Sequence, residues 1–243
     1  MNSRPCRILL GSASPRRREI LSRLGVRFVV VEHTAEELAT GLEPELLARE
    51  NARRKARTLV IETLPCSGRS GHRPSPARGR STTNDGSVLR ELVLTVDTIV
   101  VLDGAVLGKP RDVSEARRML RTLSGRTHEV VSGLHLEERT GRARSATLSC
   151  TTRVTFRTLT RSEIRWYAAT GEGLDKAGAY GIQDLGTLLV ERVEGCYFNV
   201  VGFPVATFLE ALRRLAIPFL ALVAPGSRGW IDEDLDGRSG RSD

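Results

Sequence analysis

A chain of 243 residues with 40% hydrophobic and 27% charged residues can build one large domain or two small ones around a sizeable core. Its net charge of +8 raises the question of nucleic acid, yet aromatics make up only 5% and no basic stretch interleaves with them, which speaks against a single-strand binder. The longest apolar run, Phe219 to Ala224, is too short to span a bilayer, and Ile8-Leu9-Leu10 is too short for a signal peptide.

In chain order, Arg7 to Leu10 predicts a short buried strand and Gly11-Ser12-Ala13 a tight loop. Ser14 and Pro15 then open a helix as N-cap and first helical residue, Ile20, Leu21 and Leu24 give it an apolar face, and Gly25 stops it. Val26 to Val31 reads as a strand, and Pro44 to Thr63 as a long helix with Leu46, Leu47, Ala52 and Ala56 inward. Residues 65–90 are rich in Ser, Gly, Arg and Pro and lack apolar periodicity, so a flexible insertion is expected, with a basic RNA-binding tail as the alternative.

Leu92 to Leu102 is the strongest strand signal, and Asp103-Gly104 turns it into a hairpin with Ala105 to Leu107. Ser114 is expected to cap a helix that runs to Leu123 and ends at Gly125. Glu129 to Glu137 and Ala146 to Phe156 read as strands joined by a turn at Glu138 to Arg142. Thr160 to Ala169 reads as a helix opened by a Thr160/Glu163 capping box. Leu185 to Val193 predicts a strand, Pro204 to Leu215 a helix, and residues 226–243 a frayed polar tail. Strands and helices mix without strict alternation and without an internal repeat. That favours an α/β or α+β sheet with antiparallel pairs.

Lysine usage carries the first functional signal. Of 37 basic residues only Lys55, Lys109 and Lys176 are lysines, and the other 34 are arginines. Lysine is a compact, rotatable point charge and arginine a wide planar fork, so lysine is retained where the fork will not fit. Three such ammonium groups point to an anionic ligand, phosphate first, although drift in an arginine-rich lineage would leave the same trace.

Four constellations follow. Gly11 to Arg18 places a small-residue loop at a helix N-terminus, where free N–H groups bind anions. Three arginines in the first turn oppose the helix dipole, a conflict that an anion would relieve. The same residues also suit an ordinary capped helix with solvated arginines. Asp97 lies in a run apolar on both faces, so its carboxylate needs partners or a metal and is a candidate general base; a structural cap is the alternative. Glu36 and Glu37 could complete a divalent-cation site with it, or simply form a solvated acidic loop. Lys176 to Gln183 combines small residues with a glutamine able to read a base edge, and equally suits a plain turn. The four cysteines show no pairing or metal-binding spacing, which fits a reducing, cytoplasmic compartment.

Together, SASPRRREIL (12–21), VDTIVVLDGAVLGKP (96–110), MLRTLSGRTHEVVSGL (119–134), DKAGAYGIQ (175–183) and VEGCYFNVVGFP (193–204) resemble the Maf family of nucleoside triphosphate pyrophosphatases, first described as septum-formation inhibitors. The resemblance runs from Ile8 to Leu215 and leaves out only the insertion and the tail; one domain over 6–217 is expected.

The resemblance implies an α/β fold of the Maf and inosine-triphosphatase-like kind: a mixed, elongated, twisted sheet flanked by helices, with two lobes around a cleft. It implies a homodimer, a Mg²⁺ or Mn²⁺ cofactor and a nucleoside triphosphate substrate, with no membrane and no stable nucleic-acid partner. It implies Asp97 as proton acceptor, Glu36 with Asp97 at the metal, and Ser12, Arg16 and Arg17 in the phosphate and base loop. Lys55, Lys109 and Lys176 would meet the triphosphate. Arg16, Thr98 and Gln183 match the members specific for dTTP and UTP. A purine or 7-methyl-GTP enzyme of the same fold and a non-catalytic division inhibitor are the rivals. Val96, Asp184 and Cys196 depart from the usual alanine, glycine and serine.

Overall fold

The computed structural model describes residues 6–60, 90–139 and 144–223; residues 65–89 of the expected insertion, the polar tail and the tip of the turn before Arg144 lie outside them, and Arg90, expected at the insertion's end, opens a strand. The elements in order are β1 (Cys6–Leu10), α1 (Pro15–Arg23), β2 (Phe28–Val30), α2 (Pro44–Arg57), β3 (Arg90–Leu102), β4 (Ala105–Leu107) and α3 (Val113–Leu123). Then follow β5 (Thr127–Glu138), β6 (Arg144–Phe156), α4 (Arg161–Thr170), β7 (Val190–Glu194), α5 (Tyr197–Val201) and α6 (Val205–Arg214).

One sheet runs β2-β1-β3-β5-β6-β7, with β4 attached to β3. β1 is parallel to β2 and β3, and all other pairs are antiparallel. β3 organises it. One edge of β3 pairs with β5 from Leu92 to Val101. The other edge is shared: β1 takes Arg90 to Leu94 and β4 takes Val100 to Leu102. Among the described residues, 95–99 therefore have no strand on that edge, and this break in the sheet is where the candidate site forms. β4 can fold back because Asp103 and Gly104 have φ of 50° and 77°, the left-handed pair of a two-residue hairpin turn.

Alternation along β3 sorts its residues between two faces. Leu92, Leu94 and Val96 pack with Leu21 of α1 and Phe208 and Leu212 of α6. Further along the same face, Val100 and Leu102 pack with Leu120 of α3 and Tyr167 of α4. Between these two cores the row is polar: Thr98 stands opposite Ser132, and Ser132 opposite Cys150. Two apolar lobes separated by a polar seam give the expected mixed α/β sheet with two lobes. The other face carries Ile99, Val101 and Val131 against Leu47 and Ala48 of α2.

Several elements differ from the sequence reading. α2 stops at Arg57, and its inward face is Leu47, Ala48, Asn51, Ala52 and Lys55; Leu46 is 49% exposed. The helix turns a polar pair inward where apolar spacing had pointed to Leu46 and Ala56. Asp112, not Ser114, caps α3, its carboxylate accepting from Glu115 N at 2.7 Å. The expected strand from Leu185 begins instead at Val190, because Asp184–Leu188 forms a 3₁₀ turn. The short helix α5 was not expected. The capping box of α4 is present in both halves.

Candidate active site

The loop after β1 borders the break. Gly11 N donates to Leu94 O at 2.9 Å, the last bond before the edge becomes vacant. A Cβ on Gly11 would lie 2.6 Å from Leu59 Cδ2 and 2.7 Å from Thr95 Cγ2, so the close approach requires glycine. The guanidinium of Arg17 then occupies the vacancy. Its Nη1 donates to Val96 O at 2.8 Å and to Ser12 Oγ at 2.9 Å, its Nη2 to Thr98 Oγ1 at 3.2 Å and its Nε to Gly202 O at 2.8 Å. Arg17 thus replaces a missing strand, and it ties Ser12 and Thr98 together. Burial lowers its pKa to about 10, against the opposing pull of the Asp97 carboxylate, so it stays charged at neutral pH. Ser14 holds the N-cap position without a side-chain cap; its N–H donates to Ser12 Oγ at 3.3 Å.

Asp97 points to the α2 face and is 3% exposed. Its Oδ2 accepts from Asn51 Nδ2 at 2.9 Å and its Oδ1 from Lys55 Nζ at 2.7 Å. Lys55, 5% exposed, reaches on to Glu37 Oε1 at 2.6 Å. A buried carboxylate and a buried ammonium are tolerable only when paired and hydrogen-bonded in this way. Asn51 also exchanges two bonds with the backbone of Leu38, at 2.8 and 3.0 Å, which pins the acidic loop beside Asp97. His33 lies among the same charges: burial lowers its pKa, and Lys55 adds to this.

The remaining predicted residues are more dispersed. Glu36 is exposed, and among the described residues its backbone oxygen alone is engaged, by Arg54 at 3.4 Å; Glu37 is the carboxylate that reaches Lys55. Arg16 lies 4.0 Å from Asp175, whose Oδ1 accepts from Lys176 Nζ at 2.6 Å. Lys109 is exposed and makes no ion pair among the described residues, and its loop meets that of Lys176 through Gly178 N to Gly108 O at 3.1 Å. Gln183 is half-buried, with its side-chain amide free of hydrogen bonds among the described residues. Asp184 has a φ of 51°, which accounts for glycine being usual there; aspartate tolerates this region better than most residues.

The structure thus joins Asp97 to Lys55, Ser12 to Arg17 and Thr98, and Arg16 to the Lys176 loop. It adds Asn51 and His33, which the sequence reading did not assign, and of the acidic pair read together it brings Glu37 to Lys55. Asn51 could have been found one helical turn before Lys55. Among the described residues no three His, Cys, Asp or Glu side chains group to hold a metal ion. Two carboxylates, Asp97 and Glu37, do converge on one ammonium, and one or two carboxylates plus substrate phosphates is the usual donor set of Mg²⁺.

A family model described as Maf-like protein matches residues 7–215. A dTTP/UTP pyrophosphatase of Anaeromyxobacter sp. is 44% identical over 90% of this chain and 94% of its own length. One of Porphyromonas gingivalis is 40% identical over 87% and 96%. In three dimensions the chain aligns with a nucleoside-triphosphatase / dITP/XTP pyrophosphatase of Mycobacterium abscessus, at 16% identity and a TM-score of 0.39, over 88% of this chain and 99% of that one. On the family model and these identities, the chain belongs to the Maf-like proteins.

Proposed function

We propose that this protein hydrolyses dTTP and UTP between the α- and β-phosphates, releasing the nucleoside monophosphate and pyrophosphate, and so clears unwanted nucleotides as a cytoplasmic homodimer. The observation that carries this reading is the buried Asp97–Lys55 pair, with Glu37 reaching it from the surface, at the break along the edge of β3 beside the Ser12–Arg17 loop. A pure binding module has no need of a buried carboxylate in that position. The substrate class follows the names of the Anaeromyxobacter and Porphyromonas relatives.

In this reading a water oxygen bonds to the α-phosphorus as the bond to the bridging oxygen breaks. The electron pair leaves with pyrophosphate, and Asp97 accepts the water proton. Asn51 and Lys55 hold the carboxylate in place for that transfer. Lys109 and Lys176, with Arg16 behind Asp175, meet the charge that develops on the leaving group. Asp97 and Glu37 would hold a Mg²⁺ or Mn²⁺ ion together with the phosphates; placement favours Glu37 over Glu36 for this. Such an ion supplies neutralisation of phosphate charge. Thr98 and Gln183 would face the base, where glutamine's donor and acceptor suit a uracil or thymine edge.

Pyrophosphate release from dTTP, UTP, CTP, GTP and 7-methyl-GTP with Mg²⁺ tests the reading. dTTP and UTP should lead. Release from none of them would overturn it, and a guanine nucleotide in front would move the chain to the rival substrate class.

A further inference from the structure

Between α4 and β7 the chain closes a small ring held at both ends by one pair of side chains. Glu172 Oε1 accepts from the Tyr167 hydroxyl at 2.9 Å and from Gly186 N at 3.0 Å, and its Oε2 accepts from Leu185 N at 3.1 Å. The Tyr167 hydroxyl in turn accepts from Gly181 N at 3.2 Å. The pair therefore grips residue 181 at one end and 185–186 at the other. Gln183 sits inside that bracket.

The ring has little room to adjust. A Cβ on Gly186 would lie 1.7 Å from Gly181 O and 3.1 Å from the Tyr167 hydroxyl oxygen. Ile182 is buried next to Gln183, and Asp184 holds a left-handed φ. Hydrogen bonds to an ionised carboxylate are about twice as strong as neutral ones. Burial raises the Tyr167 phenol well above its ordinary range, so it remains a proton donor to Glu172. Gln183 has no side-chain partner among the described residues, so the backbone of this ring sets where its amide points.

We propose that Glu172, acting with Tyr167, is a positioning residue for base selection, fixing the ring from which Gln183 faces the base. This rests on the reading of Gln183 as the base-contacting residue. The triphosphate end is separable, because Lys176 Nζ donates to the backbone oxygen of Glu172, which a side-chain change leaves in place.

The test compares UTP with CTP, which differ only at the base edge, for the wild type, Gln183→Ala, Glu172→Gln and Tyr167→Phe. Glutamine at 172 offers one acceptor oxygen where three donors converge. Tyr167→Phe removes the Gly181 contact at almost constant volume and serves if Glu172→Gln folds poorly. The ratio of kcat/KM for UTP over CTP does not depend on the folded fraction. It should fall about tenfold or more in both variants through a raised KM for UTP, the size expected for buried polar groups left unpaired. The kcat at saturating UTP should change by less than about threefold, since the groups at the phosphates are untouched. A merely structural role would lower both nucleotides together and leave the ratio unchanged. If Gln183→Ala collapses the ratio while the other two variants keep it, the role of Glu172 is overturned and the reading of Gln183 stands. If Gln183→Ala also keeps it, both fall.

Discussion

Asp97 and Gly133 stand opposite each other on β3 and β5, and the missing side chain of the glycine is what brings partners to the aspartate. A Cβ on Gly133 would lie 2.1 Å from Ala48 O and 2.4 Å from Arg49 N, so α2 rests directly on this glycine. One and two turns further on, Asn51 and Lys55 then reach the carboxylate. Thr95 Oγ1 fixes the same approach by donating to Ala52 O at 2.7 Å.

Gly133→Ala should therefore lift α2 and damage the site and the fold together. Overpacking of this kind costs typically ~1–3 kcal/mol, here against backbone that cannot rotate away. Urea unfolding and kcat/KM should both fall. Gly108→Ala is the control, since its Cβ would meet nothing within 4 Å, and its stability should stay within about 0.5 kcal/mol of wild type. Equal stability of the two variants would refute the close contact.

Asp97→Asn should keep cooperative unfolding and reduce turnover by ~10²–10⁴-fold, the usual cost of losing a general base. Asparagine matches the shape, and Lys55 keeps Glu37 as a partner at 2.6 Å. Near wild-type pyrophosphate release from this variant would remove Asp97 from catalysis.

The backbone was readable where local chemistry sets it: the Asp103-Gly104 turn, the Thr160/Glu163 box and the apolar run of β3. Asp97 was also legible, because a carboxylate in an apolar strand demands partners. Its partners were not. Asn51 and Lys55 lie on a helix whose arginines hide a polar inward stripe, and only the docking of α2 on Gly133 reveals it. Which of Glu36 and Glu37 turns inward depends on the Asn51–Leu38 bonds, a tertiary contact with no local signal. The ring around Gln183 was likewise invisible, since Glu172 acts through backbone N–H groups more than ten residues away.

Of the three lysines, Lys55 is the one that an arginine would fit least well. Its ammonium sits between Asp97 at 2.7 Å and Glu37 at 2.6 Å in a buried space, whereas Lys109 is exposed. Lys55→Arg should lower kcat/KM by at least about tenfold, because the guanidinium cannot occupy a point-charge site. Lys109→Arg should be the milder change. Steady-state kinetics on both variants decide the order, and the reverse order would mean that the constraint lies at the substrate and not in this buried pair.

Stability should fall as the solution is acidified from pH 6.5 towards 4, with His128 as a main cause. This ring is buried between Phe156 and Tyr180, with Nε2 2.7 Å from the Tyr180 hydroxyl. Burial lowers its pKa from 6.5 to about 4. In that window the unfolded chain binds a proton that the folded chain refuses, so each step down in pH favours unfolding. Above pH 6.5 neither state is protonated and the effect is absent. The full shift corresponds to roughly 3 kcal/mol. His33 and His135 are lowered by burial too and act in the same direction. Urea unfolding at several pH values should show the decline, and His128→Gln, which offers Tyr180 a polar partner and cannot titrate, should flatten it. An unchanged pH dependence in that variant would show that other groups, and not His128, carry the acid sensitivity.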